Sequence, residues 1–429
     1  MRLLNSSWTP GLEQKEILGA ASRLEDIITE LQRRQAPEAD TILLRTRNLY
    51  DRTQRSLLSQ EANPAVQAGL IELQYRLEDI LREPNHPELT NFLLDHRTVG
   101  AQNQMSNLAM PVKSFKHIPF SYVQARGEET SEVVQALKAH RLPVNPDNRY
   151  RVEPLTSTQT LDNLLLIGVP EAHEYATGVG VRVGVIDTGC DYKHPEIAEC
   201  FEENKGYNFL NETNDPLDDH KHGTHVAGTI AGAEVGVAPD ATLYALKVLD
   251  ARGNGSEVNV IRAMEWAIDQ DLDVLNASLG SGRASDALHA ITKLVKEKGI
   301  YFTAAAGNNG TPSYSYPASC EGAISVAAVD NHKQRAPFSQ YNDQVTLSAP
   351  GVGVRSCVPG GGYAAFSGTS MASPHVAGAA ALIREDYSYE DAEESCIESA
   401  EHLGDKNKYG WGLVRPDIAL QYLHGEKTP

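Results

Sequence analysis

Three residues of this 429-residue chain carry the side chains that acyl transfer needs, each inside a dense local motif. Asp187 closes the apolar run Val181-Arg182-Val183-Gly184-Val185-Ile186-Asp187 and is followed by Thr188-Gly189. His222 opens His222-Gly223-Thr224-His225-Val226-Ala227-Gly228. Ser370 lies in Gly368-Thr369-Ser370-Met371-Ala372-Ser373-Pro374-His375, at the entrance to an alanine-rich run. A serine hydroxyl is a poor nucleophile at neutral pH and needs a base beside it. Histidine titrates in the right range, and a carboxylate fixes its tautomer and stabilises its charged form. A helix N-terminus at Ser370 would also favour developing negative charge. Taken singly, each residue has a plainer reading: a strand-end cap, a packed histidine, a serine N-cap.

The elements that must position these residues follow from the hydrophobic pattern. From about residue 158 to 424, apolar strand runs (181–187, 242–248, 272–278, 300–306) alternate with helical segments at 258–269 and 285–298. Such alternation predicts an α/β fold with a mostly parallel sheet covered by helices on both faces. Ligands in such sheets bind at the carboxyl ends of the strands, where Asp187 falls.

The order Asp, His, Ser and the flanking motifs together resemble the subtilase family of serine proteases, over a span from Ile167-Gly168-Val169-Pro170 to Gly410-Trp411-Gly412-Leu413-Val414. The resemblance implies a serine endopeptidase with Asp187 as orienter, His222 as general acid and base, and Ser370 as nucleophile. It further implies that Asn308, in Ala304-Ala305-Ala306-Gly307-Asn308-Asn309-Gly310, joins the backbone N–H of Ser370 in holding the oxyanion. An extended peptide substrate would run between Gly253-Asn254-Gly255 and Ser278-Leu279-Gly280, whose glycines let two backbones approach. The primary pocket would be walled by Ala304, Ala305, Ala306 and Gly307, with Ser315 near its base and Asn309 at its rim. Glu257 stands where many family members carry an aromatic residue at a more distant subsite; the two readings are a preference for a basic residue there and a solvated surface glutamate.

The chain also departs from that family. The insertion that forms a strong calcium site in secreted subtilisins, ahead of Gly236-Val237-Ala238-Pro239, is missing, and Glu196 replaces a frequent aspartate ligand. No cofactor is expected. The oxygen-rich run Asp215-Pro216-Leu217-Asp218-Asp219 is the one candidate for weak calcium, the alternative being a polar loop before His222. Cys190 is expected to be a packing residue, despite its closeness to Asp187.

Upstream, residues 1–105 read as three amphipathic helices, a bundle that serves either as a stabilising extension or dimer arm or as an adaptor or regulatory module with a surface for a protein partner. Residues 106–157 read as a strand–helix–strand unit, loosely resembling the family's inhibitory prosegment or serving as a linker; it is short for a self-cleaving prosegment, whose cut the family's layout would place near 152–160, and residues 158–429 read as the catalytic domain. The net charge of −19 repels phosphate backbones and argues against nucleic acid. No apolar run reaches the length of a membrane span. Five cysteines without paired spacing, and a first stretch lacking the apolar core of a secretory signal, predict a cytoplasmic protein.

Overall fold

The computed structural model describes residues 163–426 without a break and, upstream, residues 89–95, 97, 105, 111–126, 130–139, 142, 144–152 and 155–156. The chain divides after Pro87, and the helices expected before that point lie outside the described residues. Helix was expected as far as residue 105, but Leu89–Asp95 is a strand, β1. Its run Asn91-Phe92-Leu93-Leu94 is buried on both faces, the pattern of a central strand. An apolar stretch this short, bounded by Pro87, does not distinguish strand from helix by periodicity.

This strand completes the unit that looked too short in the sequence. β2 (Val112–Ser114), β3 (Phe120–Arg126) and β4 (Val144–Pro146) join β1 in an antiparallel sheet of order β2-β3-β1-β4. Helix α1 (Thr130–Ala139) buries Val133 and Leu137 against Phe92, Leu94, Val123 and Ala125. The other face of the sheet, with Leu93, Phe120 and Tyr122, belongs to the same apolar cluster as Ile261, Met264 and Ile268 of the catalytic domain. Two short strands follow, β5 (Arg149–Arg151) and β6 (Leu155–Thr156).

The catalytic domain is built on seven parallel strands. These are β7 (Arg182–Asp187), β8 (Gly206–Asn208), β9 (Thr242–Lys247), β11 (Val274–Ala277), β12 (Tyr301–Ala305), β13 (Ile324–Val329) and β14 (Val345–Pro350), in the order β14-β13-β12-β11-β7-β9-β8. β10 (Asn254–Ser256) lies outside this sheet, as do β15 (Val354–Val358) and β16 (Gly362–Ser367), which form a hairpin. Every residue of β11, β12 and β13 is buried, as a sheet covered on both faces requires. Helices α2 (His222–Ala231) and α5 (Thr369–Arg384) pack with one face of the sheet, while α3 (Glu257–Asp269) and α4 (Asp286–Glu297) pack with the other. α5 is buried from Thr369 to Ile383. Its alanines and Gly378 keep it narrow enough to pass through the core; a Cβ on Gly378 would stand 2.5 Å from that of Val237.

Candidate active site

Asp187, at the carboxyl end of β7, and His222, the first residue of α2, are both fully buried. The Nδ1 of His222 donates to the Asp187 carboxylate at 2.8 Å from Oδ1 and 2.9 Å from Oδ2. This fixes Nδ1 as the protonated nitrogen and leaves Nε2 as the lone-pair nitrogen. Nε2 is buried with no hydrogen-bond partner. Two glycines allow the approach: a Cβ on Gly223 would lie 2.1 Å from the Gly189 carbonyl oxygen and 3.1 Å from the Asp187 Cβ.

The two loops are joined by a second carboxylate. Asp218 Oδ1 accepts from the Thr188 hydroxyl at 2.9 Å and from the backbone N–H groups of His220 and Lys221. Its Oδ2 accepts from the N–H and hydroxyl of Thr224, in the first turn of α2. Thr188 in turn accepts from the Gly223 N–H at 2.9 Å. Lys221, at φ 113°, sits in the left-handed region that costs a non-glycine residue energy, and the Asp218 bonds hold it there.

Ser370 lies in the first turn of α5 and is buried. Its hydroxyl donates to the Ser278 carbonyl at 3.0 Å rather than to His222, and the Ser278 hydroxyl donates to the Ser370 carbonyl at 2.8 Å. The Ser370 hydroxyl is thus held on the Ser278 carbonyl, and the His222 Nε2 is left without a partner. Asn308 is oriented by Thr369: its Oδ1 accepts from the Thr369 N–H and hydroxyl, each at 2.8 Å. A backbone N–H can only donate, so the oxygen is assigned and Nδ2 is the atom left open, within 3.5 Å of where a Gly368 Cβ would stand. The Gly307 N–H donates to the Thr369 hydroxyl at 3.1 Å, which ties the Ala305–Gly307 segment to the start of α5.

The recognition residues form two rims, and the chain's own residues 149–152 lie between them. β5 pairs antiparallel with β10, placing Arg151 opposite Asn254, Tyr150 opposite Gly255 and Arg149 opposite Ser256. On the other side Arg151 exchanges both backbone bonds with Gly280, each 3.3 Å. The Val152 N–H donates to the Gly253 carbonyl at 3.1 Å. β6 pairs with β16, Leu155 opposite Ser367. The two connecting residues, Glu153 and Pro154, lie outside the described residues. Only part of the expected glycine logic applies here. A Cβ on Gly253 would stand 2.7 Å from Val152, but Gly255 approaches the Val248 carbonyl and Gly280 the Ser315 hydroxyl, both within the catalytic domain. Ser315 therefore sits against the Gly280 rim, while Ala305 is buried at the end of β12.

Weak calcium at Asp215, Asp218 and Asp219 does not fit this geometry. Asp218 is spent on backbone and hydroxyl donors, Asp219 pairs with Lys247 Nζ at 2.6 Å, and Asp215 accepts from the Tyr192 hydroxyl. Glu196 is also committed, to the N–H groups of Glu234 and Val235 and the Tyr363 hydroxyl. No group of three or more metal-ligating side chains occurs among the described residues. Burial pushes the Cys190 thiol up, keeping it protonated, and all five cysteines are free. Sequence reading missed the roles of Thr188, Asp218 and Thr369. An aspartate four residues before a histidine that opens a helix was a legible capping signal, where the sequence reading weighed only weak calcium and a polar loop.

A buried Asp–His pair with an open Nε2, a serine at a helix start and an asparagine amide beside it define a serine hydrolase site. The comparisons give the same class. The profile of the subtilase family matches residues 178–412. The chain is 37% identical over 320 residues to a thermostable alkaline protease of Halalkalibacterium halodurans, covering 72% of this chain and 85% of that relative. It is 42% identical over 269 residues to subtilisin E of Bacillus subtilis (59% of this chain, 70% of the relative) and to subtilisin of Bacillus pumilus (59% and 96%). The chain belongs to the subtilase family and is a serine endopeptidase.

Proposed function

We propose that this endopeptidase cuts peptide bonds through an acyl-enzyme in which Ser370, His222 and Asp187 act as nucleophile, base and orienter. The Ser370 oxygen attacks the substrate carbonyl as its proton passes to His222 Nε2. Negative charge collects on the carbonyl oxygen, where Asn308 Nδ2 and the Ser370 N–H donate to it. The carbon–nitrogen bond then breaks, and His222 returns the proton to the departing amine. Water, deprotonated by His222, releases the acyl group by the same path in reverse. The observation that carries this reading is the pair of hydrogen bonds from His222 Nδ1 to both oxygens of Asp187, which leaves only Nε2 to take a proton.

The enzyme is regulated from within. The β1–β4 sheet with α1 acts as an inhibitory segment whose trailing strands β5 and β6 fill the substrate rims, and it is released by cleavage between 152 and 160. Its support is the pairing of β5 with both rims. The aligned 72% of the chain shared with the thermostable alkaline protease is longer than residues 158–429, so it reaches into this unit. The enzyme works in the cytoplasm, a setting supported by five unpaired cysteines, and the residues before the division at Pro87 recruit its partner.

A serine-directed fluorophosphonate tests the chemistry: wild-type protein labels, and Ser370→Ala does not. Labelling that persists in Ser370→Ala would move the nucleophile elsewhere. Intact mass tests the release, since a wild-type chain that stays full length while Ser370→Ala does the same rules out cleavage in cis.

A further inference from the structure

Two histidines meet at the catalytic centre, and the chemistry uses only one of them. His220 lies just ahead of α2, and the centre of its ring stands 6.4 Å from that of His222. The Nδ1 of His220 is buried with no partner among the described residues, as is the Nε2 of His222. The His220 backbone N–H donates to Asp218 at 2.8 Å, so the loop is fixed while the ring is not. That ring is half-buried beside Gly253, its Nε2 3.5 Å from where a Cβ on the glycine would stand. Burial, and then the charge that His222 can carry, lower His220 below its usual value, so it is a neutral imidazole at neutral pH. Orphaned ring nitrogens are costly in a packed interior, and two beside each other point to a shared partner.

We infer that His220 and His222 form an inhibitory site for a divalent transition-metal ion, zinc being the probe, which stops the protease by occupying His222 Nε2. One ion shared by two imidazoles, about 2 Å from each nitrogen, holds the ring centres about 5–6.5 Å apart, from a bent to an in-line arrangement. The observed 6.4 Å falls at the open end of that range, and a small turn of the His220 ring closes it. The bonds from His222 Nδ1 to Asp187 supply a second argument. A metal-ligating histidine makes this same bond with its far nitrogen, which fixes the tautomer and strengthens the donor. The pair that makes His222 a base therefore makes it a ligand as well. The Asp187 and Asp218 carboxylates act on the His220 ring against the single ammonium of Lys221, a balance that favours a cation. Calcium prefers oxygen and does not suit two nitrogens. With two protein ligands and water completing the coordination, the site is reversible and not structural, in keeping with the lack of any three-ligand cluster among the described residues. An ion on Nε2 holds the lone pair that the Ser370 proton needs. Only this inhibitory effect, not the binding, rests on the reading of His222 as the base.

Binding is tested by calorimetry with zinc on the full chain carrying Ser370→Ala, which keeps both histidines and cannot digest itself. Zinc should bind, calcium should not, and adding His220→Ala should weaken the zinc affinity about tenfold or more. Thermal melts confirm that each variant folds. No zinc binding, or binding that His220→Ala leaves unchanged, overturns the inference whether or not the enzyme is active. Inhibition is tested on the active protein with a short chromogenic peptide, each variant being compared with its own metal-free rate. Zinc should slow turnover, a chelator should restore it, and His220→Ala should need about tenfold or more zinc for half-inhibition. Equal sensitivity of wild type and His220→Ala overturns the inference. A chain that binds zinc through His220 but cuts no peptide with or without the metal fails at the proposed function, and the metal site stands without its inhibitory role.

Discussion

The catalytic centre and the recognition rims handle their polar groups in opposite ways. At the centre, His222 Nε2 is left without a partner and Asn308 offers its amide, while Asp187, Asp218, Thr188 and Thr369 are saturated in order to hold them. At the rims, the backbone groups of Gly253 and Gly280 are met by Val152 and Arg151 of the same chain. Chemistry needs atoms kept open and aimed, whereas recognition needs edges that any extended backbone can satisfy. A strand of the same chain therefore fills the rims while the bonds at the centre stay as they are.

The sharpest way to break this contrast is at the oxyanion donor. Asn308→Ala should lower kcat by about 10²–10³ with KM little changed, the scale known for the corresponding asparagine of a subtilisin. An unchanged kcat would take Asn308 out of the centre.

Acid should act next. Burial lowers His225 to about 3 and His375 to about 4, each ring nitrogen donating to a backbone carbonyl as a neutral imidazole. The unfolded chain binds those protons near pH 6.5, so unfolding takes up protons below that value. Each histidine should then remove about 1.4 kcal/mol of stability per pH unit as pH falls from 6.5 toward 4. Burial raises the Asp147 and Glu257 carboxyls, which work in the opposite sense and only above the ordinary carboxylate range. Melting temperatures measured from pH 7 to 5 should fall, and a flat profile would show that the histidines are not held neutral.

Asp218→Ala removes the carboxylate joining the Asp187 and His222 loops and should cost about 1–3 kcal/mol in denaturant unfolding, with kcat reduced more than KM is raised. An effect on stability alone would make Asp218 part of the scaffold and not of the centre. The smallest effect belongs to the rims. Arg151→Pro deletes the N–H that donates to Gly280 and should speed fluorophosphonate labelling of the full chain by about fivefold. No change would mean that β5 does not limit access to Ser370.

Much of the catalytic domain was legible because its signals are local. The strand runs ending at Asp187 and Ala277, the glycines at 189 and 223, and the alanine-rich start of α5 are short-range requirements written in residue type. The upstream unit was less legible. β1 carries a Phe-Leu-Leu run that serves strand or helix equally, and only its pairing with β3 and β4 decides between them. Asp218 was left between a polar loop and weak calcium because carboxylates that cap a turn and carboxylates that bind a cation look alike until their donors are seen.

The sequence alone singled out Asp187, His222 and Ser370 and their order, since a nucleophile, base and orienter must be particular side chains on particular local frames. Tertiary structure decided that residues 149–152 pair with both rims and that Glu257 is buried. Backbone pairing between β5, β10 and Gly280 leaves no signature in side-chain type, and a glutamate's burial depends on what packs over it.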